Sequence, residues 1–560
     1  MRALGFAIPA PINCVYRGYN LSVRIVLAIG MFLLASAGLA AAQGTTVFLN
    51  GKILTVDSRS SISEALAVRD GRIVAVGTSA ELRKMAGPQA RVIDLEGRTV
   101  IPGLIDSHMH AIRAALSFST EVNWIGTRSL KEALDRIHQA AQSMPAGAWL
   151  IVAGGWNAQQ FSENRRPTQA ELVAAAPDNP VYVQLGYGWA ILTPKALAKL
   201  HIANDADLPS GGKLERDGDG KPTGGVSGAQ NTIIALFDRL PTPTPEQEVE
   251  GTKKFFHELN RLGITGVVDP GGNNMTAESY QAVFQVWRQS ALTVRVAYSL
   301  CGITPGKEFE ELKDLTQMLP MGFGDSMLRF NGIGERITWA MNNNNQPTEA
   351  EREKYYEIVR WAAERGMSVT MHWPRNDSVG VLLDIFERVN REVPIANLRW
   401  SIAHLNDASA ENLRRMKALG VGWTMQPTER MPPVETAKEI GVAVGAGTDA
   451  HRVASYNPFT ALQSLVGGKT ANGVVLSGSE QAPTRAEALR LYTKGSAWFS
   501  HDEDERGSLE PGKLADLAVL SKDYMTVPVD QIGEIESVLT VLGGRIVYAA
   551  GPFAKLEDHR

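Results

Sequence analysis

Four histidines of this chain follow β-rich runs at widely separated positions: His108, His110, His372 and His404. Imidazole nitrogens are good ligands for zinc and related divalent ions. Because residues i and i+2 of a strand point to the same side, His108 and His110 are expected to face one ion. Asp449, in the run GAGTDA, adds a carboxylate after another such run. A dication held by these side chains would activate a water molecule for hydrolysis, with Asp449 accepting its proton.

The elements that must position these residues alternate in type between about residues 100 and 500. Short apolar runs and helical stretches follow one another, a pattern typical of βαβ units and a parallel sheet. Eight strands are predicted, at 99–110, 263–272, 292–300, 327–335, 367–374, 398–405, 421–427 and 441–449. We therefore expect an α/β fold with a (β/α)8 TIM-type barrel, in which catalytic groups lie at the carboxyl ends of the strands.

Two further regions are expected to fold around this barrel, which is assigned to residues 101–504. The interval of about 150 residues between the first two predicted strands is longer than a crossover requires, so an inserted subdomain is predicted at about 120–245. Both chain ends carry alternating apolar runs with Asn-Gly, Asp-Gly or Gly-Gly pairs, which are hairpin signals. They predict one composite β-sandwich domain, built from residues 43–100 and 505–560.

Composition narrows the class of protein. The chain has 560 residues, of which 44% are hydrophobic and 21% charged, so it can bury a large core. Its net charge of −4 is spread without long blocks of one sign, which does not favour a nucleic acid partner. The only cysteines are Cys14 and Cys301, so a cysteine-based zinc cluster is excluded and Cys301 is predicted to be a packed thiol.

The first 42 residues are predicted to be a secretory signal peptide. Residues 25–40 are apolar, Arg17 and Arg24 precede them, and Ala40, Ala41 and Ala42 follow as a small-residue cleavage pattern. Cleavage would give an exported protein, periplasmic or secreted, with no stable membrane association. An uncleaved anchor is the alternative.

Several motifs resemble the metal-dependent amidohydrolase superfamily. They are IPGLIDSHMH (101–110), MH (371–372), AH (403–404) and GTDA (447–450). Four others are similar to its YtcJ-like group, also called amidohydrolase family 3, which includes N-substituted formamide deformylases. These are GGWNAQQF (154–161), DGKPTGGVSGA (219–229), GITGVVD (263–269) and GSLEPGKLADLAVLSKD (507–523). The resemblance extends over nearly the whole chain after the predicted signal.

The resemblance implies a residue-by-residue ligand set. His108 and His110 match the metal ligands of strand one, His372 that of strand five and His404 that of strand six. Asp449 matches the strand-eight aspartate, which binds metal and shuttles the proton of the attacking water. The implied cofactor is one or two divalent ions, with zinc expected. The implied activity is hydrolysis of a C–N bond in a small-molecule amide, N-acyl or N-formyl compound.

Strand four departs from the family pattern. Two-metal members often carry a carboxylated lysine there, whereas residues 327–337 read MLRFNGIGERI, with no lysine. Glu335 is the only nearby acid. It is either a metal ligand or bridge, or an acid that lies on the surface or contacts only the ligands of a single ion.

The substrate contacts are also left open by the sequence. The group commonly shows a histidine near Gly188 or Trp189, and here there is none. Trp156, Tyr187 and Trp189 are therefore predicted to form an aromatic wall for the substrate, with ordinary packing as the alternative. Arg375 and His451 are further candidate substrate contacts; a loop-ordering role and a solvated loop position are their alternatives.

Two other functions compete with amide hydrolysis. One is deamination of an amino-heterocycle on the same barrel. Superfamily deaminases usually present a glutamate a few residues after a barrel histidine, and neither HWPRND (372–377) nor HLNDAS (404–409) has one. The other is a non-catalytic exported protein that binds metal or ligand in a regulatory role. A retained set of metal ligands argues against it, since such a protein needs no open metal position. The sequence does not predict an oligomeric state.

Overall fold

A computed structural model describes residues 44–272, 275–341, 346–427, 430–470 and 473–557. Residues 45–560 form one compact unit. The predicted signal peptide at 1–42 lies outside the described residues. Within the described ranges, no helix combines the length and apolar character needed to cross a membrane.

The strands of the described residues fall into five sheets. Those of the N-terminal part are β1 (Thr46–Leu49), β2 (Lys52–Leu54), β3 (Ile62–Ser63), β4 (Ala65–Arg69), β5 (Arg72–Gly77), β6 (Arg91–Asp94), β7 (Thr99–Pro102) and β8 (Leu104–Asp106). The next are β9 (Leu150–Val152), β10 (Val181–Leu185), β11 (Trp189–Leu192), β12 (Lys213–Arg216) and β13 (Pro222–Ser227). The remainder are β14 (Ile264–Asp269), β15 (Arg295–Leu300), β16 (Leu328–Ile333), β17 (Thr370–Trp373), β18 (Ser401–His404), β19 (Gly422–Met425), β20 (Val444–Ala446), β21 (Leu517–Leu520), β22 (Ser537–Leu542) and β23 (Arg545–Ala549).

Helices separate most of these strands. The α-helices are α1 (Ser79–Ala86), α2 (Ala111–Ser117), α3 (Leu130–Ser143), α4 (Gln169–Ala175), α5 (Pro194–Lys199), α6 (Gln230–Phe237), α7 (Pro245–Arg261), α8 (Gln281–Arg288), α9 (Glu308–Thr316), α10 (Glu349–Glu364), α11 (Val379–Glu392), α12 (Ala410–Leu419), α13 (Val434–Ile440), α14 (Pro458–Gly467) and α15 (Arg485–Arg490). Short 3-10 turns lie at Ala158–Gln160, Asp205–Asp207, Ala277–Tyr280, Ser479–Gln481, Trp498–Ser500, Val529–Glu534 and Gly551–Leu556, and a π turn at Leu491–Gly495. Thr348 is the N-cap of α10 and forms a capping box with Glu351, a pairing that a Thr followed three residues later by a Glu favours.

Two four-stranded parallel sheets carry the middle of the chain, in the orders β16–β15–β14–β8 and β17–β18–β19–β20. Each of the eight predicted strand intervals contains one of these strands. The sheets touch at both edges: the Ile333 amide donates to the Ser368 carbonyl at 3.0 Å, and the Ser107 amide donates to the Ala446 carbonyl at 3.1 Å. Backbone hydrogen bonds therefore connect the first sheet to the second at β16 and β17 and at β8 and β20.

The first predicted strand, 99–110, is wrong as a single element. Gly103 divides it into β7, which joins a sheet of the chain ends, and β8, which joins a parallel sheet. A Cβ on Gly103 would lie 2.2 Å from the Thr265 hydroxyl, so a larger residue would not fit at this crossing. His108 and His110 then follow β8 and are not part of a strand.

The chain ends contribute jointly to a six-stranded sheet, ordered β23–β22–β21–β7–β2–β3, beside a four-stranded sheet ordered β5–β4–β1–β6. One apolar cluster includes side chains of both sheets, among them Phe48, Leu66, Val100, Leu517 and Leu539. Two predicted turns are confirmed, because antiparallel pairs β4–β5 and β22–β23 flank the Asp-Gly and Gly-Gly dipeptides. The Asn50-Gly51 hairpin is wrong: β1 pairs with β4 and β6, whereas β2 pairs with β3 and β7.

Between β8 and β14 the chain forms a separate five-stranded sheet, ordered β12–β13–β11–β10–β9. Its two faces bury different apolar clusters, because side chains alternate along each strand. Leu150 and Val183 belong to one cluster, and Ile151 and Tyr182 to the other.

Candidate metal centre

Four imidazoles surround the carboxylate of Glu335, which follows β16. The Nε2 atoms of His108 and His110 lie 3.2 and 3.3 Å from its oxygens. His372 Nδ1 is 3.1 Å and His404 Nε2 is 3.7 Å from Glu335 Oε2. Glu335 is therefore placed inside the histidine cluster, and the alternative of a surface acid is wrong.

Asp449 completes the cluster from the carboxyl end of β20. Its Oδ1 lies 3.2 Å from His110 Nε2 and 3.6 Å from His108 Nε2. The six residues form three overlapping groups whose donor atoms lie within 4.8 Å of one another: His108, His110 and Glu335; His108, His404 and Asp449; Glu335, His372 and His404. The five predicted ligands and Glu335 thus lie in one cluster of overlapping groups.

Hydrogen bonds fix the orientation of two of the rings. His110 Nδ1 lies 2.6 Å from the Gly271 carbonyl, and His404 Nδ1 lies 2.8 Å from Gln426 Oε1. Because both partners are acceptors, each Nδ1 carries the proton and each Nε2 presents a lone pair to the cluster. A ligand histidine held through its other nitrogen is typical of metal sites.

The buried carboxylate of Asp106, at the end of β8, joins the first and eighth strands below the cluster. It accepts hydrogen bonds from the amide of His108 (2.9 Å) and from the Thr448 hydroxyl (2.7 Å) and amide (3.1 Å). Burial raises the pKa of Asp106 to about 6 against the opposing effect of these bonds. Gly447 lets the segment after β20 pack closely against His108, since a Cβ at this position would lie 2.7 Å from the backbone nitrogen of His108.

Asp106→Asn is expected to lower the free energy of unfolding by about 1–3 kcal/mol, because an amide NH2 would face donors in a buried position. Urea denaturation of the metal-free protein measures the effect. Asp135→Asn, which alters an exposed ion pair with Lys131 on α3, is the control and should change stability by less than about 0.5 kcal/mol. Equal midpoints for the two variants would contradict the role of Asp106.

The donor set fits a divalent ion. Within the described residues, His108 Nε2 and His404 Nε2 are buried without a hydrogen-bond partner. Buried polar atoms are normally paired, so these two nitrogens point to a ligand. Burial alone would lower the pKa of His108, but the carboxylates of Asp449 and Glu335 raise it to about 9. Burial alone would raise the pKa of Glu335, but the surrounding imidazoles hold it well below its usual range. Nitrogen and carboxylate oxygen donors of this kind suit zinc and related ions.

The two tryptophans predicted for the substrate wall lie between β8 and β14, in one apolar cluster. Trp156 is buried against Trp124 and Phe161, and its indole donates to the Gln184 carbonyl at 2.7 Å. Trp189 is mostly buried in the same apolar cluster, with the guanidinium of Arg166 over its ring. Packing accounts for both positions, and their contact with substrate stays a prediction.

Arg375 and His451 occupy different environments. Arg375 is largely exposed and forms an ion pair with Asp377. His451 is buried, so the alternative of a solvated loop histidine is wrong; its Nε2 lies 3.5 Å from Glu121 Oε2. Burial opposes ionisation of Glu121, but Arg452 and His451 lower its pKa to about 2.

A cavity of about 380 Å³ is lined by α2, by residues of the five-stranded sheet region and by α6. Its polar lining includes Arg113, Glu121 and Tyr187, and its apolar lining includes Ile151 and Phe237. Arg113 also borders the metal centre, because its Nη1 and the His110 ring both lie within 3.2 Å of the position a Cβ would take on Gly272. Arg113 thus links this cavity to the His110 ring, although the cavity lining itself contains none of the six candidate ligands.

Sequence reasoning missed several residues that hold this site. Gln426 ends the seventh predicted strand and Asp106 lies two residues before His108, so strand-end position was the available signal for both. Glu121 gave no such signal, because its partners His451 and Arg452 are about 330 residues away in the chain. Asp269, at the end of β14, accepts hydrogen bonds from the Ile112 and Gly271 amides.

Comparison with known proteins gives one family for most of the chain. The sequence model described as "Amidohydrolase family" matches residues 91–548, and that of an "Imidazolonepropionase-like composite domain, bacteria" matches residues 65–86. N-substituted formamide deformylase of Arthrobacter pascens is 28% identical, over 90% of this chain and 98% of its own length. The putative amidohydrolase YtcJ of Bacillus subtilis (strain 168) is 25% identical, over 90% of this chain and 99% of its own length.

Solved structures share the fold at lower identity. An uncharacterised metal-dependent hydrolase from Pyrococcus horikoshii OT3 has a TM-score of 0.61 and 22% identity, over 87% of this chain and 99% of that one. Atrazine chlorohydrolase TrzN from Arthrobacter aurescens TC1, complexed with zinc, has a TM-score of 0.54 and 16% identity, over 90% and 95%.

Proposed function

Because the chain belongs to the amidohydrolase family, we propose that it is a metal-dependent hydrolase of a C–N bond in a small amide, N-acyl or N-formyl compound. The observation that carries this proposal is the convergence of four imidazoles and two carboxylates beside a cavity. The similarity to N-substituted formamide deformylase over 98% of that protein supports the choice of bond.

The ligand groups divide naturally into two ion sites that share Glu335. His108, His110 and Asp449, in which Asp449 Oδ1 lies 3.2–3.6 Å from the two Nε2 atoms, would hold one ion. His372 and His404 would hold the other, and Glu335 belongs to a ligand group on each side. Glu335 would thus supply the bridging carboxylate that a carboxylated lysine provides in other two-metal members. Zinc is the proposed metal, supported by the nitrogen-rich donor set and by the zinc in the related chlorohydrolase structure.

The side chains then have distinct tasks in hydrolysis. A divalent ion bound here would supply Lewis acidity, lowering the pKa of a water molecule and polarising the substrate carbonyl. Asp449 would accept the proton of the attacking water and pass it to the leaving nitrogen. Gln426 and the Gly271 carbonyl hold His404 and His110 in the tautomers that this arrangement needs.

We further propose the domain arrangement and the location of the protein. The two parallel sheets would form one (β/α)8 barrel over 101–504 with the insertion at about 120–245, and residues 43–100 and 505–560 a β-sandwich domain. The apolar run at 25–40, followed by three alanines, supports export after cleavage near Ala42. N-terminal sequencing of protein from the periplasm or medium tests this; an intact Met1 there would contradict cleavage.

The activity is tested on protein loaded with zinc and on the same protein after chelation. We expect hydrolysis of at least one compound among N-acyl amino acids, N-formyl amines and aryl amides, and a loss of at least about 10²-fold on chelation that zinc restores. Amine release and acid release are both measured.

Three outcomes would contradict the proposal. Ammonia release from amino-heterocycles without amide cleavage would identify a deaminase. Binding of metal without turnover of any compound would support the non-catalytic alternative. Undiminished amide hydrolysis after removal of all divalent ions would show that the six residues are not the catalytic centre.

A further inference from the structure

Arg336, the residue after Glu335, is a buried cation without an acceptor. It is only 3% exposed, and its Nε and Nη2 are buried with no hydrogen-bond partner within the part of the chain that is described. One face of the guanidinium is covered by Trp339, whose ring centroid lies 3.7 Å from Cζ. Burial of an unpaired guanidinium is costly, so a counter-ion is expected.

The neighbouring carboxylates do not provide that counter-ion. Both oxygens of Glu335 face the four imidazoles at 3.1–3.7 Å. Glu308 accepts the Trp339 amide, and Asp269 accepts the amides of Ile112 and Gly271. The donors of Arg336 therefore remain available to a bound molecule.

A second arginine lies near the same space. Arg113 has a buried Nε without a partner, borders His110, and lines the cavity together with Tyr187. Arg113 thus places a second guanidinium beside His110 and next to the cavity.

By contrast, the other arginine of the cavity is satisfied. Arg452 lies 3.4 Å from Glu121, donates to the Ala153 carbonyl at 3.0 Å, and covers the ring of Phe237. Of these three arginines, Arg336 (Nε and Nη2) and Arg113 (Nε) have buried donors without a partner among the described residues.

We propose that Arg336 and Arg113 bind a carboxylate of the substrate, so that the enzyme prefers N-acylated amino acids to neutral amides. A guanidinium matches a carboxylate through paired N–H groups. The carboxylate of an N-acylated amino acid is two bonds from the scissile nitrogen, which agrees with arginines that border the metal ligands. The apolar lining of the cavity, including Ile151, Ile234 and Phe237, suits an apolar side chain.

This inference rests on the proposed amide hydrolysis, and its test separates the two. We compare kcat/KM for N-formylphenylalanine, each enantiomer separately, and N-formyl-2-phenylethylamine, which differ only in the carboxylate. For the wild-type enzyme, kcat/KM for one enantiomer of the acid is expected to exceed that for N-formyl-2-phenylethylamine by at least about 10²-fold. The reason is that a site built for a charged group rejects the analogue that lacks it.

Variants assign the preference to residues. Arg336→Met and Arg113→Met should each lose far more activity on the acid than on the amine derivative, reducing the ratio at least about tenfold, mainly through KM. Arg336→Lys keeps the positive charge but lacks the paired N–H donors of a guanidinium, so its acid-to-amine ratio of kcat/KM should be intermediate. Arg388→Met on α11, which alters an exposed ion pair with Glu353 of α10, is the control and should keep the wild-type ratio.

Equal kcat/KM for acid and amine derivative in the wild-type enzyme, or a preference that survives both methionine variants, would overturn the inference. If neither compound is hydrolysed, calorimetry of N-formylphenylalanine with zinc-loaded protein decides. Binding that Arg336→Met weakens at least tenfold would support the carboxylate site while the proposed hydrolysis of this class fails. Absence of such binding would overturn the carboxylate site as well.

Discussion

Replacement of Asp449 by asparagine is expected to lower kcat by about 10³-fold or more while zinc remains bound. Asparagine keeps an oxygen where Asp449 Oδ1 lies, 3.2 Å from His110 Nε2, but it cannot accept a proton. The loss then reports the proton transfer and not the metal site. Steady-state kinetics and metal analysis on the same preparation measure both quantities.

Asp135→Asn is the matched control for this substitution, since Asp135 lies in an exposed ion pair on α3. It should leave kcat within a factor of two. Retained turnover in a zinc-loaded Asp449→Asn protein would reject Asp449 as the proton acceptor, whereas loss of both zinc and activity would make it chiefly a ligand.

Glu335→Gln is expected to remove one of two bound ions and to lower kcat/KM by at least about 10²-fold, the order found when one electrostatic stabiliser is removed from an active site. Both oxygens of Glu335 face imidazole nitrogens, so an amide NH2 would replace a ligand oxygen with a donor. The lost negative charge also leaves the buried ions less well compensated.

Metal content per chain and kinetics test this prediction, with Glu310→Gln on the exposed side of α9 as the control. One ion per wild-type chain at full activity would remove Glu335 as a bridge. Unchanged metal content and activity in Glu335→Gln would remove it as a ligand altogether.

The meeting of the histidines could be predicted because parallel strands present their carboxyl ends at one edge. The prediction that His108 and His110 face one ion because they alternate along a strand was wrong, however. β8 ends at Asp106, and His110 precedes the first residue of α2, so alternation along a strand does not orient them. The amide of Asp449 donates to the His108 carbonyl at 2.8 Å, and contacts of this kind across the fold set the geometry.

The Asp-Gly and Asn-Gly dipeptides likewise predicted where the chain turns but not which strands pair. The Asp70-Gly71 pair joins two paired strands, whereas Asn50-Gly51 carries the chain between two sheets. Both dipeptides favour a tight turn, since Asn50 and Asp70 have φ values of 57° and 51°. Which strand then pairs with which depends on tertiary packing that a dipeptide does not encode.

The substrate side of the site was the least predictable part. Trp156 and Trp189 were chosen by residue type, but the fold of the insertion decides whether an aromatic ring packs or faces a ligand. The missing acceptor of Arg336 is likewise a property of the folded chain, because only three-dimensional contacts show that Glu335 is already engaged by imidazoles.

Anomalous diffraction from zinc-soaked crystals tests the metal centre most directly. Two peaks are expected: one within about 2.0–2.2 Å of donor atoms of His108, His110 and Asp449, and one at that distance from His372 and His404. Glu335 should lie between them. Absence of any peak among these six side chains, together with full hydrolytic activity in protein stripped of divalent ions, would contradict the account.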